Sequence, residues 1–164
     1  MSQVCQGGVC QAPSCWDGVQ NGLETGTDCG GPCADCPTTC NEYAYQAESM
    51  YHSTGNAWWQ GGWNIYANGY IATTHDFLPG PAIITVSALG QEAWGLPHML
   101  VTVGGVPVSP AAGVYVTPGG FNDYPFTFDA PGGSQEIRVI FDNDAYGWFG
   151  DRNLIVQTVT MSCP

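Results

Sequence analysis

Residues 82–89 read AIITVSAL, and this stretch decides the fold class because its residues alternate in character. Successive side chains of an extended strand point to opposite faces. Ile84, Val86 and Ala88 would therefore share one face, and Ile83, Thr85 and Ser87 the other. The stretch QEIRVIF, residues 135–141, alternates in the same way, with Ile137, Val139 and Phe141 on one face. A period of two residues indicates β-strands with one buried face.

Five further runs of β-type residues lie between residues 62 and 161. They are GWNIYANGYIAT, HMLVTVGGVPV, GVYVT, YPFTFDA and NLIVQTVTM. Turn signals separate them, including GG at 104–105 and PGG at 118–120 and 131–133. No segment keeps a helical period between capping residues. We therefore predict an all-β domain over residues 41–164, folded as a β-sandwich or jelly roll.

Residues 1–40 have a different composition, rich in Cys, Gly, Asp and Pro and poor in aliphatic core residues. Such a segment cannot bury enough apolar surface to fold without covalent staples. We predict a disulfide-stapled N-terminal appendage, although the C-x2-C spacing of Cys33 and Cys36 also fits a zinc ligand pair. Cys40 and Cys163 bracket the sandwich, and we expect them to form one disulfide. Pairing among the other six stays open: Cys5, Cys10, Cys15, Cys29, Cys33 and Cys36.

The charge balance is strongly acidic, with 14 acidic residues, no lysine and two arginines, Arg138 and Arg152, for a net charge of −12. Nucleic acid binding needs clustered Lys and Arg, so nucleic acid is excluded as a partner. An anionic membrane surface is disfavoured for the same reason. The excess of carboxylates favours neutral or cationic partners, above all metal cations.

The compartment follows from the cysteines. A disulfide framework predicts an oxidising, extracellular environment. No apolar run approaches the ~18 residues of a transmembrane helix, so we predict no membrane insertion. The start, MSQVCQGG, has neither the basic residues nor the apolar core of a signal peptide. We expect the mature form of a secreted protein whose leader has been removed.

The stretch FDNDAYGWFGDRNL, residues 141–154, gathers three aspartates: Asp142, Asp144 and Asp151. Gly147 and Gly150 allow the loop between the last two to fold back, which brings carboxylates and backbone carbonyls together. Calcium takes six to eight oxygens from such mixed donors. The stretch therefore predicts a calcium site, and a solvated acidic turn is the alternative.

Several segments resemble one family. NDAYGWFGDRNLIVQTVTM (residues 143–161) resembles the closing motif of calcium-dependent carbohydrate-binding modules of the xylan-binding type, families 36 and 60, which are β-jelly rolls. Three upstream segments also fit, in the expected order: YQAES (45–49), GGWNIYANGYIAT (61–73) and ITVSALGQEAWGLPHMLVTVGGVPV (84–108).

The resemblance implies a calcium ion at the loop tips that binds vicinal hydroxyls of a glycan. Asp144 and Asp151 become its side-chain ligands, backbone carbonyls near Trp148 and Phe149 complete the sphere, and Asp142 is an adjacent candidate. Aromatic and acidic residues beside the loop are candidates for contact with the sugar: Tyr146, Trp148, Trp94 and Glu92.

Two further calcium sites are conceivable. The family's second, structural site uses acids of the first and last strands; here Glu48 matches one acid, but Gln46 and Gln157 stand where acids are expected. Residues 14–36 resemble a short Cys-rich repeat of secreted multidomain proteins of myxobacteria and their relatives. Its oxygen-bearing residues suit calcium or ordinary turns: Asp17, Asn21, Glu24 and Asp28.

The favoured function is a non-catalytic, lectin-like module that binds a polysaccharide through calcium. A structural or adhesive subunit of an extracellular assembly or fibre is the first alternative, and self-association or a larger parent protein is left open. A glycoside hydrolase using Asp142 and Asp151 is the second. We expect no catalysis, because none of the three histidines has the spacing of a zinc site or a triad.

Overall fold

The structure is a computed structural model. It describes residues 4–6, 9–11, 14–16, 18–20, 22–24, 31–33, 42–58, 61–148 and 150–162. The chain divides into two compact units, Met1–Thr39 and Cys40–Pro164. None of the helices in the described ranges is long and apolar enough to cross a membrane.

The first unit contains a two-stranded antiparallel hairpin, β1 (Val4–Gln6) and β2 (Val9–Gln11). A disulfide joins Cys15 to Cys33, which confirms that cysteines staple this segment. Several predicted residues lie outside the described ranges: Asp17, Asn21, Asp28, Cys29, Cys36, Cys40 and Cys163.

Glu24 does not form a metal site with Cys15 and Cys33. One of its carboxylate oxygens lies 3.3 Å from Cys33 Sγ, and the ligand atoms of Cys15, Glu24 and Cys33 lie within 4.8 Å of one another. Both sulfurs are consumed by the disulfide, however, and metal ligation requires a thiolate.

The second unit is a sandwich of two antiparallel sheets, which confirms the predicted fold class. Within the described residues one sheet has six strands: β4 (Tyr51–His52), β7 (Gly69–Phe77), β9 (His98–Val103), β10 (Val106–Pro107), β11 (Val114–Tyr115) and β13 (Gly133–Phe141). Their order is β10–β9–β13–β7–β4, and β11 pairs with β9.

The other sheet has seven strands in the described part of the chain: β3 (Tyr43–Gln46), β5 (Asn56–Ala57), β6 (Trp63–Ile65), β8 (Gly80–Gln91), β12 (Asn122–Ala130), β14 (Ala145–Gly147) and β15 (Gly150–Ser162). Their order is β12–β8–β15–β6–β5, and β3 and β14 also pair with β15. A short 3₁₀ helix, Ala47–Ser49, follows β3.

The core lies between the sheets and follows the alternation of the sequence. The inward side chains of β8 and β13 have no exposed area: Ile84, Val86, Ala88, Ile137, Val139 and Phe141. Each large apolar side chain buried in this way stabilises the fold by about 1.5–3 kcal/mol. These two strands therefore anchor one sheet each.

Residues 62–73 do not form one strand as their composition indicates. They contain all of β6, in the seven-stranded sheet, and the start of β7, in the six-stranded sheet, and residues 66–68 connect the two. The run of β-type residues hides the crossover because both strands contribute apolar side chains to the same core.

The first and last strands of the sandwich are neighbours, because Tyr43 of β3 pairs with Met161 of β15. This arrangement agrees with the sequence expectation that the two ends lie close together. Cys40 and Cys163 themselves are outside the described ranges, so the disulfide between them stays a prediction.

Candidate functional site

Three connecting segments meet at one edge of the sandwich. Phe141, the last residue of β13, pairs with Gly69 at the start of β7 and with Met99 near the start of β9. In the other sheet, Asn153 of β15 pairs with Gln91 at the end of β8. The segments 66–68, 92–97 and 142–148 therefore lie at the same edge, where loops commonly carry binding residues.

The acidic loop is a tight hairpin. In the pairing of β14 with β15, Tyr146 lies opposite Asp151 and Gly147 opposite Gly150. Gly150 has a φ of 131°, which side chains other than hydrogen rarely allow. Trp148 at the tip is fully exposed and Tyr146 is 83% exposed, so both aromatic rings face solvent. Phe149 lies outside the described residues.

Two side-chain oxygens at this edge are buried without a hydrogen-bond partner: Asp144 Oδ1 and Asn153 Oδ1. The backbone N–H of Asp144 donates to Asn68 Oδ1 at 2.7 Å, which fixes the start of the hairpin. Asn153 Nδ2 donates to Gln91 Oε1 at 2.7 Å and to Asp151 Oδ2 at 3.2 Å, which sets the orientation of its amide. A buried oxygen left without a donor costs free energy, and a cation would satisfy it.

Asp142 has a different partner. Its Oδ1 lies 2.7 Å from His98 Nδ1, and His98 Nε2 lies 2.8 Å from the carbonyl oxygen of Ala112. The neighbouring Asn143 accepts the His98 backbone N–H at 2.7 Å and donates to the Leu96 carbonyl at 3.1 Å. These bonds hold the 142–144 segment against the start of β9.

The three aspartates do not form a compact carboxylate cluster. Among the described residues, no three acids of this loop bring their oxygens within 4.8 Å of one another. A cation here would need Asp144, Asp151, amide oxygens and backbone carbonyls as mixed donors, which is the donor set that calcium accepts. The residues present thus fit calcium, with the buried Asp144 oxygen as the clearest sign.

Trp94 lies beside the hairpin. Its side chain is half-exposed, and its φ is 55°, in the left-handed region that non-glycine residues rarely occupy. A Cβ added at Gly147 would lie 2.4 Å from Cη2 of the Trp94 ring, so the indole packs on the bare backbone of β14. Glu92, two residues before, is exposed.

Two residues predicted for the second calcium site, Glu48 and Gln157, lie near the turn at residues 61–62. The backbone N–H of Gly62 donates to Glu48 Oε1 at 3.3 Å, and a Cβ at Gly61 would lie 3.9 Å from Gln157 Nε2. Gln46 of β3 pairs directly with Thr158 of β15. The pairing of β15 with β8 is irregular at Gln157, between Val156 and Thr158. Glu48 therefore has a hydrogen-bond donor, and a calcium site at these residues stays a prediction.

Several residues that shape this edge escaped sequence reasoning: Asn68, Gln91, His98, Asn143, Arg152 and Asn153. Each of them takes part in at least one side-chain hydrogen bond that spans 44 to 76 positions of sequence, which no local pattern reveals. The signals that existed were the Asn-Gly pair at 68–69 and the Arg-Asn pair after Asp151, both within the segments that carry the family resemblance.

Part of the chain is similar to a family of carbohydrate-binding modules. The family model CBM60, described as a Ca-dependent carbohydrate-binding module, xylan-binding, matches residues 83–163, just under half of the chain. The matched range includes the acidic loop and Trp94. It does not reach the Cys-rich segment, whose resemblance to a repeat stays a prediction. No curated protein matches significantly.

Solved structures share the fold at low sequence identity. The CBM36-1 domain of a multidomain xylanase from the hindgut metagenome of Trinervitermes trinervoides has a TM-score of 0.59 at 19% identity, covering 76% of this chain and 98% of that one. A CBM36 module in complex with calcium and xylotriose gives 0.55 at 21% identity, with 73% and 99% covered. The C-terminal CBM6 of a laminarinase from Zobellia galactanivorans gives 0.54 at 14% identity, with 74% and 99% covered.

Proposed function

We propose that the sandwich is a non-catalytic module that binds a xylan-type polysaccharide through a calcium ion held at the acidic hairpin. The module belongs to a secreted or cell-surface protein. The family description names calcium and xylan, and a structural neighbour was solved with calcium and xylotriose. These descriptions support the proposal for this chain.

One observation carries the calcium site. Asp144 Oδ1 is buried without a hydrogen-bond partner, at an edge where Asp151 also presents a carboxylate. Burial of a carboxylate oxygen without a donor is unfavourable. A cation between Asp144 and Asp151 removes this cost and relieves part of the repulsion in a chain of net charge −12.

The remaining residues have complementary roles in the proposed site. Bound calcium would supply an exposed cation that two neighbouring sugar hydroxyls can chelate. Asn68 and Asn153 orient the two aspartates through the hydrogen bonds described above. Trp94, Tyr146 and Trp148 expose aromatic surface on which a pyranose ring can pack. Recognition then depends on hydroxyl geometry at an open edge.

A pull-down on insoluble xylan tests this function. The protein should bind xylan in calcium, remain in the supernatant in EGTA, and bind again once calcium is restored. Cellulose and mannan serve as matched polysaccharides that differ in ring substituents. Retention on xylan that is equal in EGTA would contradict the calcium dependence, and absence of binding to any glycan would favour the assembly or fibre alternative.

A further inference from the structure

Arg152 stands directly after Asp151, yet its guanidinium group contacts backbone oxygens. Its Nε donates to the carbonyls of Ala93 and Gly95 at 2.9 and 3.0 Å. Its Nη1 donates to the carbonyl of Asn143 at 2.6 Å, and its Nη2 donates to the carbonyl of Trp94. In the described part of the chain it forms no ion pair with an acid.

The four acceptors come from two different loops. Three belong to the 93–95 segment, which carries Trp94, and the fourth belongs to Asn143, which immediately precedes Asp144. One side chain therefore forms hydrogen bonds with both the segment that carries Trp94 and the loop that carries Asp144. Because the guanidinium is used on carbonyls, the carboxylates of Asp144 and Asp151 stay available to a cation.

We infer that Arg152 is a positioning residue that sets Trp94 at a fixed place relative to Asp144, and thereby couples the aromatic sugar-contact surface to the cation site. The inference rests on the proposed function, because it concerns how two parts of the same site are held in register. It adds a specificity-determining role: a sugar ring that packs on Trp94 must also present its hydroxyls at the distance that Arg152 imposes.

The geometry requires arginine. Guanidinium is a planar fork with five N–H donors, so it can reach carbonyls on opposite sides at once. The Lys ammonium has three donors on a single atom and cannot span the same four acceptors. Trp94 has a φ of 55°, a conformation that costs free energy, and its carbonyl accepts a hydrogen bond from Arg152 Nη2, which helps to hold the residue in place.

Three variants test the inference: Arg152→Ala, Arg152→Lys and Arg138→Ala. Arg138 is the chain's other arginine; it pairs with Glu136 and covers the Tyr70 ring on the six-stranded sheet, so its removal changes the net charge equally. Isothermal titration gives the affinities for calcium alone and for xylohexaose in saturating calcium. The indole N–H signal of Trp94, assigned with Trp94→Phe, reports the position of that ring by NMR.

We expect Arg152→Ala and Arg152→Lys to weaken xylohexaose binding roughly tenfold, with a smaller change in calcium affinity. The Trp94 signal should shift or broaden in both, while Arg138→Ala leaves it in place and keeps sugar affinity within about twofold. Ethylguanidine at millimolar concentration should restore part of the sugar affinity of Arg152→Ala. If Arg152→Ala fails to fold, Arg152→Lys retains the charge and gives the same readouts.

The result that overturns the inference is a folded Arg152 variant with an unchanged Trp94 signal, or with parental sugar affinity. Failure of the proposed function is a separate outcome. If the parent protein binds no xylo-oligosaccharide, that function is wrong, and the Trp94 signal alone still decides whether Arg152 positions the ring.

Discussion

The indole ring of Trp94 lies on the backbone of Gly147, so close that a single added methyl carbon would meet it at 2.4 Å. The contact joins the loop after β8 to the hairpin that carries the aspartates. Only a residue without a side chain permits it. The aromatic surface and the acidic hairpin of the candidate site are thus built as one packed unit.

Gly147→Ala should displace the Trp94 ring and weaken xylo-oligosaccharide binding roughly tenfold in saturating calcium. The contacted atom is the far end of a side chain, so we expect the free energy of unfolding to change by less than about 1 kcal/mol. Gly120→Ala is the matched control, because a Cβ there meets nothing within 4 Å. Equal sugar affinity of the two variants, measured by titration calorimetry, would show that the Trp94 position is unimportant.

Two substitutions of Trp94 separate its effect on stability from its effect on binding. Trp94→Gly relieves the left-handed backbone conformation, whereas Trp94→Ala retains it, so we expect the glycine variant to be about 1 kcal/mol more stable than the alanine variant. Both should lose most sugar affinity because the aromatic surface is gone. Chemical denaturation measures the first quantity. An alanine variant as stable as the glycine variant would mean that the φ of 55° carries no strain.

Asp144→Ala should change stability in opposite directions with and without calcium. In EGTA the variant lacks the buried, unpartnered oxygen of Asp144, so its free energy of unfolding should rise by about 1 kcal/mol. In millimolar calcium the parent gains stability by binding the ion, and the variant does not. Thermal unfolding in both conditions checks this; curves of parent and variant that respond equally to calcium would exclude Asp144 as a ligand.

Asn153→Ala should weaken calcium binding through its effect on Asp151. The change removes the amide N–H donor to Asp151 Oδ2 and to the half-buried Gln91 Oε1. Asn122→Ala is the control, because Asn122 is exposed and donates only to neighbouring turn groups such as the Gly120 carbonyl. We expect calcium affinity to fall roughly tenfold in the first variant alone, as measured by calorimetry. A similar loss in Asn122→Ala would point to a general effect on the fold.

A pH effect is expected far from this edge. Burial, with Tyr43 and Asp76 nearby, raises the pKa of Tyr45 above its usual 10.0. The folded state then holds the phenol proton more tightly than the unfolded state, so this stabilisation is complete below about pH 10 and is lost as pH rises through the folded pKa. Tyr45→Phe should make unfolding less sensitive to alkaline pH than Tyr146→Phe does. Equal alkaline slopes in urea titrations would contradict this.

The sequence predicted the sandwich because each strand carries its own evidence. AIITVSAL and QEIRVIF show their buried faces through alternation, and the structure buries those faces fully. The crossover at Tyr66–Asn68 was missed, since strands of two sheets that share one core have similar composition. Residue patterns also do not show which cysteines pair with each other; within the described ranges, the structure shows the Cys15–Cys33 bridge.

Only some residues of the candidate site could be predicted from the sequence. Asp144, Asp151, Trp148 and Tyr146 stand close together in sequence, so their type and spacing are visible. The bonds of Asn68 with Asp144 and of Arg152 with residues 93–95 join distant segments and depend on the register of the sheets. Asp142 shows the limit of local spacing as evidence. In the sequence it is spaced like a calcium ligand, whereas in the structure its carboxylate lies against His98.

The most direct test of the account is a calcium titration in the presence and absence of saturating xylohexaose. If sugar hydroxyls bind the ion itself, linkage requires that the sugar tighten calcium binding by the same factor by which calcium tightens sugar binding. We predict a calcium affinity at least about tenfold higher with xylohexaose present. Identical calcium affinities in the two titrations, in a protein that still binds the sugar, would contradict recognition through the ion.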